Sequence, residues 1–342
     1  MAPSQKWERR WHPLREEWVV YAAHRNSRPW SGASSPVNTP APEFDPQCYL
    51  CPGNKRVSEV HNPAYKSIYV FNNDHPVVGE SAPTPEPYTF PNEVYQSGHA
   101  QGISRVICFS PNHSLSLGDL EVDQVFDVFR TFREQTLEML KNPSIHSLLI
   151  FENRGQEVGV SNPHPHGQLY ATTFPLRNIE QQCQLSRKHL KEKGKSIFDA
   201  IVENELADHR RLIIEDDLTV SFIPYFARYA YETMIFPKSN YQHLGQMDDE
   251  SLRSLARNFR TVVRKMDRLY EVQFPYVLTV MQAPVDQNDH PEFRLHLWLQ
   301  PPLRRPGLLK YLAGPELGAG NFMADTMPEE KAEELRNSRD RA

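Results

Sequence analysis

The feature that most constrains the fold is an internal repeat in the last two thirds of the chain. Two segments, offset by roughly 130 residues, share the order strand, long helix, strand, loop, strand. The first predicted set comprises strand 104–110, helix 120–140, strand 146–152 and strand 167–172. The second comprises strand 231–236, helix 248–271, strand 277–281 and strand 293–299. Apolar residues three or four apart give each helix one hydrophobic face. Four elements in the same order predict a duplicated α+β unit, an antiparallel sheet with helices packed on it.

The repeat divides the chain into two expected halves, residues 1–176 and 177–342. A stretch rich in Gln, Lys and Glu, residues 179–205, predicts a helical connector between them. Fourteen of the 29 prolines fall in the first 100 residues. Because proline lacks a backbone donor and disfavours helix in the residue before it, we expect this region to be loop-rich and to lie over the sheet.

Composition narrows the class of protein. The chain has 342 residues, 39% of them hydrophobic and 24% charged, which excludes a disordered chain and a disulfide scaffold. A net charge of −5 without a long basic block argues against a nucleic-acid partner. No apolar run is long enough to span a membrane, and the first residues do not resemble a secretory signal. Four cysteines indicate a reducing compartment. We therefore expect a cytoplasmic enzyme.

The densest polar cluster is the segment Ser161–Gln168, with sequence SNPHPHGQ. Its two prolines favour extended backbone, in which His164 and His166 project to the same side. Gly167 allows a ligand to approach the backbone closely. Helix, plain strand and core packing each disfavour this arrangement, so the pattern indicates a functional site.

A second cluster is Cys48-Tyr49-Leu50-Cys51. One C-x-x-C can be redox-active, metal-binding or two ordinary buried thiols, and no βαβ pattern supports the redox reading. Zinc requires four ligands in a tetrahedron, and His113 and His164 are the candidates for the other two. We predict one structural zinc ion at Cys48, Cys51, His113 and His164, which leaves His166 free for chemistry.

The motif Asn162–Gln168 resembles the active-site motif of the galactose-1-phosphate uridylyltransferase family, in the histidine-triad superfamily. Further stretches agree with the family in order along the chain: His24–Trp30, Cys48–Cys51 with Gly53-Asn54, Phe71–Asp74, Ser104–His113, Phe151–Gly155 and Pro301–Arg304. The resemblance covers nearly the whole chain, and the family's duplicated fold agrees with the repeat.

The resemblance implies an exchange in which UDP-glucose and galactose 1-phosphate give glucose 1-phosphate and UDP-galactose. His166 would be the nucleophile and would carry UMP as a covalent uridylyl-histidine. Gln168 stands where related hydrolases have a third histidine. A neutral amide can hold a phosphoryl oxygen without supplying a proton, which favours nucleotidyl transfer over hydrolysis.

The resemblance also implies substrate contacts. Ser161 and Asn162 would bind the phosphates, and Arg25 and Arg28 are candidate charge partners for them. Residues expected to hold uridine and ribose are Val57, Asn73, Asp74 and Asn153. In the C-terminal half, Lys310, Tyr311 and Glu316 match a segment that contacts the sugar in the partner subunit's active site, so we expect a homodimer.

Some members of the family carry a second metal site in the second repeat, built from one Glu and three His. Aligning the repeats sets Leu295–Trp298 against His164–His166, so only His296 remains of the His pair. Met281 occupies the position of the family's third histidine ligand. The position of the family's glutamate lies near Glu180 to Gln182. One clear ligand of four predicts no second metal ion.

Two other functions remain open from the sequence. An adenylyl-transferring relative, such as an ADP-sugar phosphorylase, would use the same His and Gln chemistry and differ only in its base pocket. A zinc-stabilised nucleotide-binding protein without turnover would bind UDP-glucose and release no glucose 1-phosphate. Phe71–Asp74 favours uridine by resemblance, and the intact His166 and Gln168 favour an enzyme.

Overall fold

The structure, a computed structural model, describes residues 7–23, 41–86 and 95–338. The strands are β1 (Trp7–His12), β2 (Glu17–Ala22), β3 (Tyr69–Asn72), β4 (Gly102–Cys108), β5 (Ser147–Arg154), β6 (His166–Thr172), β7 (Leu212–Glu215), β8 (Thr219–Phe222), β9 (Thr233–Pro237), β10 (Tyr276–Met281), β11 (His296–Gln300), β12 (Leu303–Arg305), β13 (Leu308–Leu309) and β14 (Met323–Ala324). The helices are α1 (Val122–Met139), α2 (Arg177–Lys193), α3 (Ile197–Asp208), α4 (Asp249–Tyr270) and α5 (Pro328–Asn337).

Both repeats contribute to one nine-stranded sheet. Its order is β3-β4-β6-β5-β10-β11-β9-β8-β7, and the neighbouring strands are antiparallel. The order β4-β6-β5 in the first half is mirrored by β9-β11-β10 in the second, with β5 and β10 paired at the centre. The predicted α+β fold with a duplicated unit is therefore confirmed. The division at residue 176 stays a prediction, because the two halves share a continuous sheet.

The main core lies between one face of this sheet and helices α1 and α4. Phe129 and Phe132 of α1 and Phe259 of α4 are at most 1% exposed, and the rings of Phe129 and Phe259 lie 5.5 Å apart. Leu169 of β6 and Leu297 of β11 come from the sheet side of the same core. Burying each of these side chains contributes about 1.5–3 kcal/mol. The apolar face read from the sequence is the face that packs.

The N-termini of the two long helices are capped by their own sequence. The Asp248 carboxylate accepts a hydrogen bond from the backbone N–H of Ser251 at 2.7 Å, and the Gln124 side chain accepts one from the N–H of Glu121 at 2.9 Å. These contacts satisfy donors that have no partner within the helix. They explain why both helices begin within two residues of the predicted positions.

The structure corrects two of the predicted elements. The connector 179–205 is two helices, α2 and α3, because Gly194 ends α2 with a φ of 75°, in the left-handed region that glycine favours. The last strand begins at His296 rather than residue 293, because the N–H of Phe293 closes a turn onto the carbonyl of His290 at 2.9 Å. None of the helices in the described part of the chain combines the length and apolar character needed to cross a membrane.

Candidate active site and metal centre

His166 is the first residue of β6 and lies opposite Cys108 of β4. Its Nδ1–H donates to the carbonyl oxygen of His164 at 2.7 Å. Because a carbonyl can only accept, this bond fixes the proton on Nδ1 and leaves Nε2 with a free lone pair. Burial lowers the pKa of His166 below its ordinary value. The imidazole is therefore a neutral base and nucleophile near neutral pH, on a half-buried strand end.

Gln168 lies two residues further along β6 and faces the same side as His166. The hydroxyl of Tyr170, two residues further again, donates to Gln168 Oε1 at 3.1 Å. Tyr170 in turn packs edge-on against Phe151 of β5, with ring centroids 5.0 Å apart. With Oε1 occupied, the Gln168 amide nitrogen is left to donate to a ligand. The strand thus presents an unprotonated ring nitrogen and a neutral hydrogen-bond donor side by side.

Gly167 is required by close packing on the opposite face of the strand. A Cβ at this position would lie 2.8 Å from the Phe109 ring and 2.9 Å from the carbonyl oxygen of Phe151. Both distances are far inside van der Waals contact, so any side chain would push β6 away from its neighbours. The glycine keeps His166 and Gln168 in register with the strands on either side.

A small cleft joins several of the residues predicted from the sequence. It is lined by Phe151, Asn153, Gly159, Val160, Ser161, His166, Gly167 and Gln168. Four of these, Asn153, Ser161, His166 and Gln168, are predicted catalytic or substrate-binding residues. Asn162 is directed elsewhere: its Oδ1 accepts from the backbone N–H of His164 at 2.9 Å and from Cys48 Sγ at 3.4 Å. Its side chain therefore contacts the cysteine and histidine cluster, and a phosphate contact from it stays a prediction.

The predicted uridine residues Val57, Asn73 and Asp74 lie together beside β3. Asp74 Oδ2 accepts from the N–H of Ser58 at 3.4 Å and lies 3.7 Å from Arg56 Nε, which joins the loop containing Val57 to the end of the strand. The side chain of Val57 is 54% exposed, as a residue that covers a bound base would be. β3 is separated from β6 by β4 alone, and Phe71, two residues before Asn73, lies in one row with Val106 of β4 and Gln168 of β6.

The remaining predicted substrate residues lie away from this cleft or outside the described part. Arg25 and Arg28, with the stretch 24–30, are outside the described residues. Lys310 Nζ forms an ion pair with Glu316 Oε1 at 2.6 Å, and Tyr311 is 48% exposed. The segment that holds these three residues leads into β14, which pairs with β2, and none of the three lines the cleft. Their role toward a sugar stays a prediction.

Cys48, Cys51, His113 and His164 form a buried group that can bind a metal ion. Each is at most 5% exposed, and one ligand atom from each lies within 4.8 Å of the others. Cys51 Sγ is 3.6 Å from His113 Nδ1 and 3.5 Å from His164 Nδ1. Thiolate and imidazole ligands of one tetrahedral zinc ion lie about 3.5–3.6 Å apart, given their bond lengths to zinc. The two distances from Cys51 agree with these values, so the group is compatible with a zinc ion.

Contacts around the cluster orient His164 as a ligand. Its Nε2 lies 3.0 Å from the carbonyl oxygen of Ser110 and 3.0 Å from the hydroxyl of Tyr65. Nε2 therefore carries the proton and Nδ1 faces the cysteines unprotonated, as the outer contacts of metal-bound histidines arrange it. Burial lowers the pKa of His164 to about 4 and raises the pKa of the Cys51 thiol to about 11. A bound cation would reverse the second shift by favouring thiolate.

The corresponding face of the second repeat is closed. His296 is the first residue of β11, and its Nδ1–H donates to the carbonyl oxygen of Arg294, two residues back, at 2.9 Å. His166 makes the same kind of bond to the carbonyl oxygen of His164. One row of paired residues also crosses the four central strands and is symmetric about its middle. It consists of Gln168 of β6, Phe151 of β5, Thr279 of β10 and Trp298 of β11.

This register corrects the repeat alignment. In the sheet, His296 corresponds to His166, and Trp298 corresponds to Gln168. The alignment of the repeats had set His296 against His164, so it was shifted by two residues. Met281 pairs with His296 across the strands, and both are buried with Gln182. His296 joins no group of metal-ligating side chains among the described residues.

Two residues that support the site were missed from the sequence. Tyr170 could have been found, because it lies at i+2 from Gln168 on a strand and so shares its face. Tyr65 could not, because it is 99 positions from His164 and no local pattern links them.

Comparisons with known proteins show which family the chain resembles. Residues 2–175 match the family described as galactose-1-phosphate uridyl transferase, N-terminal domain, and residues 178–341 match its C-terminal domain. A galactose-1-phosphate uridylyltransferase of Haemophilus influenzae is 36% identical over 336 residues, 98% of this chain and 95% of that protein.

Two solved structures share the fold. One described as a uridylyltransferase superposes with a TM-score of 0.78 at 26% identity, covering 97% of this chain and 98% of that one. An ADP-glucose phosphorylase from Arabidopsis thaliana, solved with bound ADP-glucose, gives a TM-score of 0.77 at 22% identity, covering 98% of this chain and 100% of that one. At 22% identity, the similarity to the ADP-glucose phosphorylase concerns the fold alone.

Proposed function

The chain belongs to the galactose-1-phosphate uridylyltransferase family, and we propose that it transfers UMP from UDP-glucose to galactose 1-phosphate through a covalent uridylyl-His166. The observation that carries the proposal is the tautomer of His166. Its Nδ1–H is held by the His164 carbonyl, which leaves the lone pair on Nε2, and His166 and Gln168 line the same cleft.

The first step is an attack of His166 Nε2 on the α-phosphorus of UDP-glucose. A P–N bond forms as the bond from that phosphorus to the bridging oxygen breaks, and glucose 1-phosphate leaves with the electron pair. The leaving group is a stable anion, so no strong general acid is needed. The imidazole becomes positive as the bond forms, and the His164 carbonyl, 2.7 Å from Nδ1, stabilises that charge.

The second step reverses the first with a different acceptor. A phosphate oxygen of galactose 1-phosphate attacks the phosphorus, the P–N bond breaks, and neutral His166 is restored with release of UDP-galactose. Gln168 donates from its amide to a non-bridging oxygen in both steps, and Tyr170 holds that amide in place. A neutral amide at this position holds a phosphoryl oxygen without supplying a proton, which favours transfer to a sugar phosphate over hydrolysis.

The other assignments rest on the resemblance to the family. Val57, Asn73, Asp74 and Asn153 would hold uridine and ribose, and Ser161 would bind the phosphates with Asn162, Arg25 and Arg28. Lys310, Tyr311 and Glu316 would contact the sugar in the partner subunit of a homodimer. Cys48, Cys51, His113 and His164 would hold one structural zinc ion, whose chemistry is to cross-link four ligands. Because the His164 carbonyl binds His166, a rigid metal centre also positions the nucleophile.

The proposal is tested by intact-protein mass after mixing with UDP-glucose and then with galactose 1-phosphate. Wild type should gain the mass of one UMP and lose it on addition of the acceptor, whereas His166→Ala should gain none. A parallel sample with ADP-glucose tests the base. A gain of AMP would contradict the proposed substrate, and no adduct with either donor would contradict the covalent route.

A further inference from the structure

Three buried side chains outside the active site form a second group with metal-ligating chemistry. Cys183 of α2 and His290 and Glu292 of the segment before β11 are each at most 5% exposed. One ligand atom from each lies within 4.8 Å of the other two. These three residues differ from the positions that were compared with the family's second metal site, which are Met281, His296, Trp298 and residues 180–182.

The contacts of the His290 ring bring two acceptor atoms close together in this group. Its Nε2–H donates to Asp286 Oδ1 at 2.9 Å, so in the neutral ring Nδ1 carries only a lone pair. That lone pair lies 3.2 Å from Glu292 Oε1, which is also an acceptor. Two acceptors at this distance repel each other unless a proton or a metal ion lies between them. Imidazole and carboxylate ligands of one tetrahedral ion lie about 3.4 Å apart, close to the distance found.

The third ligand and the surrounding contacts favour a metal ion. Cys183 approaches from α2, whose same face presents Ser186 and Arg187 at helical spacing. Ser186 Oγ donates to the backbone carbonyl of Glu292 at 2.6 Å, and Arg187 Nη2 donates to Glu292 Oε1 at 2.6 Å. These bonds hold the segment against the helix and fix the carboxylate. Asp286 fixes the ring of His290 as the outer carboxylate of a metal-bound histidine does.

Charge and access are also suitable. A thiolate at Cys183 and the carboxylate of Glu292 balance a divalent cation, and the outer charges of Arg187 and Asp286 cancel each other. The ligand carboxylate is 4% exposed, but Arg187 beside it is 57% exposed, so the group lies one side chain below solvent. The group therefore lies close to the surface of the protein.

We propose that Cys183, His290 and Glu292 bind a zinc ion, with a water molecule as the fourth ligand. One sulfur, one nitrogen and one oxygen ligand with an open fourth position is a set that zinc accepts. The ion joins α2 to the segment that leads into β11. This site replaces the expectation that the chain binds a single metal ion, and it does not depend on the proposed transfer reaction.

The test is the zinc content of the full-length protein after dialysis against metal-free buffer. Wild type should hold one equivalent of zinc more than Cys183→Ser or His290→Gln, and both variants should keep the equivalent at Cys48 and Cys51, which shows that they are folded. His189→Gln, on the same helix but outside the group, is the matched control and should match wild type. Asp286→Asn should weaken zinc binding at this site about 10- to 100-fold.

Cobalt provides a second readout that does not depend on activity. Titration of metal-free protein with Co²⁺ should give two thiolate-to-cobalt absorption steps in wild type and one in Cys183→Ser. Equal zinc contents in wild type, Cys183→Ser and His290→Gln, with a single cobalt step in all three, would overturn the proposal. In that case a proton bridges His290 and Glu292.

Discussion

The two halves of the sheet carry the same unit and differ in what covers one face. Both β6 and β11 begin with a histidine whose Nδ1–H donates to the carbonyl two residues back, at 2.7 Å for His166 and 2.9 Å for His296. On β6 the face is open, and His166 and Gln168 line a cleft. On β11 the face is filled, and His296 and Trp298 are at most 2% exposed.

The cover of the second half comes from the N-terminal strands and from α2 and α3. His12 packs on Phe226 with ring centroids 4.3 Å apart, and the Arg15 guanidinium lies 5.2 Å over Trp298. Trp298 Nε1 donates to Glu232 at 2.7 Å, which satisfies the indole inside the core. The comparison shows that the same histidine contact occurs in an open face and in a filled one. The open face and the neutral donor beside it distinguish the half that we propose to be catalytic.

The sharpest test of this comparison is the pair His166→Ala and His296→Ala. Loss of the nucleophile should lower kcat by at least about 10,000-fold. His296→Ala should leave kcat near wild type. It should lower the free energy of unfolding by about 2–4 kcal/mol, because it leaves a cavity beside Phe198, Phe236 and Phe293. Steady-state kinetics and urea unfolding measure the two effects. Equal losses of kcat in the two variants would remove the distinction between the halves.

The proposed metal centre lies in the half that carries His166, and Cys51→Ser tests its contribution. The variant should lose one equivalent of zinc and several kcal/mol of stability, because binding of a structural metal is coupled to folding. Its kcat should also fall, since His164 is both a ligand and the hydrogen-bond partner of His166. Metal analysis and thermal unfolding check this, and an unchanged zinc content would contradict the ligand set.

Burial of the second histidine should be visible in the pH dependence of stability. Desolvation lowers the pKa of His296 to about 4, below its ordinary value of 6.5. Between these values the unfolded chain binds the proton and the folded chain does not, so stability is lost as pH falls from 6.5 toward 4. His296→Leu should remove up to about 3 kcal/mol of this loss.

Urea unfolding of wild type and His296→Leu at pH 4.5, 5.5 and 7 measures the effect. Loss of zinc at low pH affects both proteins and cancels in their difference. His189→Leu, a histidine substitution outside this core, serves as the control. A difference between wild type and His296→Leu that is constant with pH would show that the ring is not held neutral.

The smallest expected effect concerns the residue that orients Gln168. Tyr170→Phe removes the bond to Gln168 Oε1 and should lower kcat several-fold, in line with about 1 kcal/mol for one hydrogen bond. Tyr276→Phe, whose lost hydroxyl contacts Glu152, should lower stability with kcat retained. Equal kcat in wild type and Tyr170→Phe would show that Gln168 needs no such support.

Much of the fold and site followed from local pattern. The repeat predicted the paired strands and helices because hydrophobic periodicity is a local property. The interleaved His and Pro residues predicted that His164 and His166 share a side, since residues i and i+2 do so in any strand. The C-x-x-C pair and the preference of zinc for thiolate and imidazole ligands predicted the cluster of Cys48, Cys51, His113 and His164.

The rest depends on long-range packing that no local pattern encodes. Cys183 is 107 positions from His290, and only the fold of α2 against the segment before β11 brings them together. The two-residue shift between the repeats is visible only from strand pairing, because sequence alignment matched the histidines by type. The direction of Asn162 likewise depends on Cys48, 114 positions away.

The account's central claim, that one half of the duplicated unit is catalytic and the other is structural, is tested most directly by mapping the covalent adduct. Wild type is mixed with UDP-glucose, digested, and its peptides are analysed by mass spectrometry under conditions that preserve phosphohistidine bonds. We predict UMP on the peptide that contains His166 and none on the peptide that contains His296. UMP on any residue other than His166 would contradict the account.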